Sequence, residues 1–434
     1  MLDAPVLMLL LGVAVMIGLI VLHVPVGVSM AATGILMFSL QVSLPAALGT
    51  VAPEVLAAFT SRDLVTIPLF LLMGSLAARA GISGDIYNLA SSWIGHMRGG
   101  LAMGTVLGCG GFGALCGSSV ATAATMGRVA LPEMRARGYA PELAVGAIAS
   151  GGTLGILIPP SIVMVIYAVL TEQFVLDLFL AGILPGLLAI VLYCAAILVT
   201  TWINPKSAPS AKAQSWNQRL RAMINAWRAI VVIALVVGGL YAGLFTVIEA
   251  ASVGVALTLL FFLARHPRAM WRKALEVVAV ETAQSTAMIF LMVVGASLFS
   301  YFLTLTQAPQ AIVAQVEAAN FSPYVVIGLL MLMYLFLGAV FDAIAAMILT
   351  TPFVFPLIIG LGFDPIWWGI VLVMVIEIGM ITPPIGMNVF VINGVAPDIS
   401  LRTIYRGIVP FLIADIVRLA LVIAFPVIAL ALLP

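Results

Sequence analysis

The stretch "GILIPPSIVM" at Gly155–Met164 lies where an apolar run of helical length should continue unbroken, and "GMITPPIGMN" at Gly379–Asn388 repeats its G-x-x-x-P-P spacing. Proline lacks a backbone N–H and its ring collides with the preceding turn, so two in succession stop a helix. The pairs Pro159-Pro160 and Pro383-Pro384 therefore predict two helices broken midway, each inside strongly apolar sequence.

That surrounding sequence belongs in a membrane. Of 434 residues, 64% are hydrophobic and 8% are charged, against about 25% charged in an ordinary soluble domain. Apolar runs near 4–22, 25–40, 64–80, 143–170, 176–203, 228–245, 247–264, 283–304, 367–395 and 405–433 approach or exceed the length of about 20 residues that spans a bilayer. The first of them lacks a basic leader and carries Asp3 just before it, so it reads as a helix and not as a signal peptide. A net charge of +1, with the positive residues dispersed, argues against a nucleic-acid partner. Cys109, Cys116 and Cys194 sit in apolar segments and read as core residues, and His23, His96 and His266 have no metal-ligand spacing. No G-x-x-x-x-G-K-[ST] loop is present to bind ATP.

Shifting the sequence by 224 residues lays one half on the other without a gap. Phe112 falls on Phe336, Pro132 on Pro356, Gly138 on Gly362, Pro141 on Pro365 and Gly155 on Gly379, and the two proline pairs coincide. With proline at about 5% of residues, the four matched prolines have odds of roughly 10⁻⁵ per offset by chance. The chain thus divides into a first repeat at 1–203, a linker at 204–227 and a second repeat at 228–434. Each repeat holds a broken helix (about 143–170 and 367–395) and, before it, an apolar region interrupted by small or polar residues (about 100–134 and 323–357). These interrupted regions read as re-entrant hairpins, because irregular backbone at membrane depth survives only where protein buries it or it lines a cavity. Five crossings per repeat is an odd number, so the second repeat is expected upside down relative to the first. The class is an all-α polytopic membrane protein of two inverted repeats.

Charge tests this topology separately. Fourteen of the eighteen lysines and arginines, from Arg79 and Arg98 through Lys212 to Arg406, fall on one side of that arrangement, and Arg228 joins them. Only Arg62 falls on the other side, while Arg128 and Arg418 lie within apolar segments. The positive-inside rule makes the basic side cytoplasmic. Both termini then face outward, the first hairpin opens to the cytoplasm and the second to the exterior. Residues 204–227 read as a polar connector that includes an interfacial helix.

Inverted repeats with discontinuous helices are the build of secondary transporters, whose half-helix ends hold ions and substrate near the midplane. The hairpin tips supply candidates. "CGSSVATAAT" (Cys116–Thr125) offers Ser118 and Ser119, and at the 224 offset Ser118 meets Asp342 in "GAVFDAIAA" (Gly338–Ala346). A carboxylate this deep in apolar sequence is costly unless paired or solvated, which points to function; the plainer role, a helix N-cap inside the hairpin, can coexist with it. Thr153, Ser161, Thr382 and Asn388 flank the breaks, where such side chains also bond between membrane helices. Asp415 and Arg418 are placed to pair with each other, and Glu249, Glu281 and Glu377 read as helix-end or buried contacts before they read as ion ligands. Arg128 could attract an anion or snorkel to the cytoplasmic surface.

"GHMRGGLAMG" (Gly95–Gly104), "GSSVATAATMG" (Gly117–Gly127), "GTLGILIPPSIVMVIYA" (Gly152–Ala168) and "GMITPPIGMNVFVINGVAP" (Gly379–Pro397) together resemble the large membrane subunit of TRAP (tripartite ATP-independent periplasmic) transporters, the DctM-type permease. "LPG" at Leu184–Gly186 and "EAASVG" at Glu249–Gly254 also look familial, and the likeness runs over essentially the whole chain. The resemblance implies an elevator-type carrier in the bacterial inner membrane that imports an organic acid with sodium ions and needs no other cofactor. It implies two partners, a small four-helix membrane subunit and a periplasmic substrate-binding protein, both separate from this chain. Carried over by motif, one sodium site would use Ser118, Ser119, Gly152 and Gly155. The other would use Gly338, Asp342, Gly379 and Thr382. The substrate would lie near Ser119, Thr153, Ser161 and Asn388.

Three other readings compete. A stand-alone sodium/dicarboxylate symporter of related architecture would need no binding protein. An intramembrane enzyme could use Asp342, but no paired aspartate or metal cluster is evident in the sequence. A channel fits two occluding hairpins less well than alternating access does.

Overall fold

The computed structural model describes residues 4–209, 213–307, 310–314 and 322–433, and among these it is helical with no strand. Residues 1–3, the linker positions 210–212 with Lys212, and 308–309, 315–321 and 434 lie outside the described residues. Seven described helices are long and apolar enough to cross a membrane, or up to nine when each of two bent pairs is counted as one span.

The helices recur at the offset found in the sequence. Ser119–Ala136 and Ala343–Gly360 are 224 residues apart at both ends, and so are Pro141–Leu157 and Pro365–Ile381. Gly138 and Gly362, which join these helices in each half, are left-handed with φ of 73° and 78°, a conformation that costs glycine little. The breaks fall at the proline pairs. Pro141–Leu157 is followed by Ile162–Thr171, and Pro365–Ile381 by Met387–Val395. Both Pro-Pro peptide bonds are cis.

Each interrupted region is a pair of legs meeting at a two-residue turn. The first pair is Gly100–Cys116 and Ser119–Ala136, and the second is Pro323–Val340 and Ala343–Gly360. The two broken helices form the centre of the molecule. Every residue from Ile366 to Ile381 is buried, as is every residue from Leu143 to Leu157.

Three elements go beyond the sequence reading. Leu44–Thr60 runs in helical pieces into Arg62–Arg79 with a bend of 56°. Residues Ile82–Ile94, which lie between the apolar segments, form an amphipathic helix started by left-handed Gly81. The span expected from 283 begins at Arg268 and reaches Thr306, 39 residues in all. At 1.5 Å per residue it is about 58 Å long, so its end bearing Arg268, Arg272 and Lys273 projects past a hydrocarbon core about 30 Å thick.

Candidate functional site

Both hairpin tips are built around a cap. In the first, Gly117 at φ 62° turns the chain and Ser118 Oγ accepts the Ala121 N–H at 3.4 Å. In the second, Asp342 Oδ1 accepts the Ile344 and Ala345 N–H groups at 2.9 and 3.0 Å. Ser118 and Asp342 thus hold equivalent places, each satisfying free donors at the start of a returning leg. The carboxylate adds a negative charge where the helix dipole favours one.

Each tip lies directly on a broken helix, and glycine is what permits it. A methyl group on Gly155 would stand 2.7 Å from the Ser118 carbonyl oxygen and 2.6 Å from Thr122 Oγ1. One on Gly152 would stand 2.6 Å from Ala123 Cβ. In the second half, a methyl on Gly379 would stand 2.7 Å from Gly338 Cα, and one on Gly338 would stand 2.8 Å from the Ile376 oxygen. The Gly386 N–H donates to the Ala339 carbonyl at 3.0 Å, pinning the second tip to the second break. Ser118, Gly152 and Gly155 are therefore neighbours, and so are Gly338 and Gly379, next to Asp342. The Thr382 hydroxyl turns back on its own helix and donates to Ile378 O at 2.6 Å.

Asn388 joins the halves. It is fully buried, and its Nδ2 donates to Ser119 Oγ at 2.8 Å and to Ala149 O at 3.1 Å. Its Oδ1 is buried without a hydrogen-bond partner among the described residues, and Thr122 Oγ1 is buried close to the Cys116 thiol. The sequence reading passed over Thr122. Its spacing of four from Ser118, which places both on one helix face, was the available signal. Ser161 is occupied by backbone, donating to Ile156 O and capping the next helix through the Met164 N–H. Thr153 donates to Ser150 O at 2.7 Å and lies 3.3 Å from Tyr193 OH, in a separate buried network that contains Asp415, Arg418 and Glu377.

Beside the first tip opens a cavity of about 670 Å³, lined by Ser118, Thr125 and Arg128 from the hairpin and by Arg79 and Glu281 across from it. Arg79 and Glu281 pair at 2.9 Å. Arg128 is exposed and has no ion pair among the described residues, so the cavity wall carries one uncompensated positive charge. Glu249 is committed elsewhere, closing a capping box with Thr246.

Two broken helices at the centre of the molecule, each covered by a hairpin tip, define a polytopic membrane transporter fold. The YdaH transporter of Alcanivorax borkumensis shares it with a TM-score of 0.62 over 88% of this chain and 90% of that one, at 15% identity. Residues 13–428 match the family described as the DctM component of the tripartite ATP-independent periplasmic transporters, and the chain belongs to that family. It is 36% identical to the C4-dicarboxylate TRAP transporter large permease protein DctM of Pseudomonas aeruginosa, over 85% of this chain and 86% of the relative. It is 30% identical to the sialic acid TRAP transporter large permease protein SiaM of Vibrio cholerae, over 94% and 95%.

Proposed function

We propose that this chain is the sodium-coupled large subunit that carries an organic acid anion across the bacterial inner membrane. One observation carries the reading furthest. A cavity of about 670 Å³ ends at a capped hairpin tip and bears the single uncompensated charge of Arg128. A carboxylate is the charge partner that an arginine accepts in a forked geometry. Both relatives, by their names, move acids, a C4-dicarboxylate and a sialic acid.

The sodium ions would lie where each tip meets its break. Ser118 O and the buried Thr122 Oγ1 converge beside Gly155, and the Asp342 carboxylate stands at the equivalent point of the second half. Oxygen atoms of this kind, from backbone and hydroxyl groups at an unwound helix, are the donors transporters use for sodium. The two halves would be inverted and the hairpin-bearing part would move as an elevator against the long outer helices. A small membrane subunit would brace those outer helices, and a periplasmic binding protein would deliver the acid. The stand-alone symporter is the competing reading.

Three experiments bear on this. Asp342→Asn should lower sodium-dependent uptake at least tenfold in protein of unchanged yield, because the neutral amide keeps a cap but loses the charge that faces the cation. An unaltered sodium dependence would remove Asp342 from the coupling site. Arg128→Gln should raise the half-saturating acid concentration several-fold, and an unchanged value would take Arg128 out of the anion's path. For topology, Phe174→Cys, next to Glu172, should react with an impermeant maleimide in intact cells, while Asn217→Cys should react only after permeabilisation. Labelling of Asn217→Cys from outside would overturn the assigned orientation.

A further inference from the structure

A second large pocket, of about 990 Å³, lies away from the hairpin tips, between the linker helix Trp216–Asn225, the helix Ile82–Ile94 and the far end of the first hairpin. Its walls carry four arginines, Arg137, Arg221, Arg228 and Arg265, against two carboxylates, Asp85 and Glu133. Arg228 pairs with Asp85 at 2.8 Å, Arg265 reaches the same carboxylate oxygen only at 4.0 Å, and Arg137 pairs with Glu133 at 2.8 Å. Arg221 is exposed and has no ion pair among the described residues. Two of the positive charges in the pocket are left uncompensated.

The linker helix shows what level of the membrane the pocket occupies. None of its residues is buried. Gln218, Arg221 and Asn225 face the pocket, while Trp216, Leu220 and Met223, at 67%, 45% and 43% exposure, follow the helical repeat along another face. Trp216 meets Trp93 edge-on at 5.7 Å, and Arg219 lies over the same Trp93 ring at 5.8 Å. Trp227, 51% exposed, lines the pocket at the end of the helix. A cluster of tryptophans with arginines beside it marks the headgroup level of a bilayer. A basic pocket between helices at that level suits a lipid phosphate.

We propose that this pocket binds the headgroup of an anionic phospholipid. The phosphodiester sits against Arg221 and Arg265, whose guanidinium groups have the least carboxylate company, and the acyl chains lie along Ile224, Trp227 and Leu260, exposed apolar residues that line the same pocket. A lipid held there ties the linker helix, through Arg221, to the end of the helix Val247–Arg265. The excess charge selects an anionic headgroup over a zwitterionic one, whose ammonium adds to the same repulsion. The exposed apolar residues in the pocket wall, Ile224, Trp227 and Leu260, select a lipid over a free phosphate.

The test uses the delipidated, detergent-solubilised full chain, with binding measured by native mass spectrometry and by the shift in melting temperature. Phosphatidylglycerol should bind at least fivefold more tightly than phosphatidylcholine, and inorganic phosphate should neither compete nor stabilise. Each neutralised arginine should cost about fivefold in affinity, so Arg221→Gln with Arg265→Gln should abolish the preference while the paired lysine variants retain most of it. Should the double variant fail to fold, Arg221→Gln alone, which removes no ion pair, still has to weaken binding severalfold. Equal affinity for phosphatidylcholine, equal protection by phosphate, or an undiminished preference in the glutamine variants would each overturn the proposal.

Discussion

Proteoliposomes that hold this chain alone, with an inward sodium gradient and a free organic acid outside, are expected to show no uptake above empty vesicles. The reason lies in what the chain can build. Its longest polar stretch, Asn204–Trp227, is far too short for a soluble receptor, since independent domains start near 40–60 residues. On the proposed reading, a separate binding protein delivers the acid to the outer face. The outer helices also present bare apolar surface. Leu22, Phe59, Trp202 and Leu244 are 73%, 66%, 78% and 73% exposed, which lipid or another membrane subunit must cover. Adding the small subunit and a loaded binding protein should raise uptake from background by at least an order of magnitude. Full uptake by the isolated chain would instead favour the stand-alone symporter.

The proline pairs made most of the fold legible before any coordinates. A Pro-Pro sequence is local, and its effect on a helix does not depend on what surrounds it. The match of Pro132, Pro141, Pro159 and Pro160 with positions 224 further on located both hairpins and both breaks to within a few residues. Segments whose character depends on partners were not legible. Residues 268–282 carry Arg272, Lys273 and Glu276 and precede the apolar run at 283–304, yet they belong to the same helix, Arg268–Thr306. Residues 82–94 are too polar for a span and show their helical face only once the hairpin packs against them.

The site divides along the same line. Ser118 and Asp342 were legible because capping is a local act and the offset paired them. The Asn388–Ser119 bond joins residues 269 apart, so no spacing in the sequence could announce it. Glu377 went unmatched with Arg418 for the same reason, although the Asp415–Arg418 spacing of three was visible. Thr153 was chosen because it flanks a break, but a flanking position does not fix the side on which the hydroxyl emerges. Its contact with Tyr193 places it in the buried network.

That network sets the largest expected effect of a single substitution. Arg418 is fully buried, and its Nη2 lies 2.8 Å from Glu377 Oε2 and 2.9 Å from Asp415 Oδ1, both carboxylates being fully buried as well. Tyr193 OH donates to Asp415 Oδ2 at 2.7 Å, and Thr153 extends the chain to the first broken helix. Thr153 and Glu377 occupy equivalent positions in the two broken helices, so the cluster fastens both to the last long helix. Arg418→Met would leave two carboxylates facing each other with no cation, and breaking a buried pair from one side costs about 3–5 kcal/mol. The melting temperature in detergent should fall by ten degrees or more, or folded protein should be lost outright. The triple change Glu377→Gln, Asp415→Asn, Arg418→Met removes all three charges and should recover most of the lost stability, because neutral groups of similar size leave no unpaired ion behind. The surface pair Arg135–Asp398 is the control. It is equally short at 2.9 Å, but its side chains are 41% and 64% exposed, and Asp398→Asn should leave the melting temperature unchanged. If Arg418→Met melts like the parent, the cluster does not hold the broken helices together, and if the triple variant is no better than the single one, loss of packing and not stranded charge is the cause.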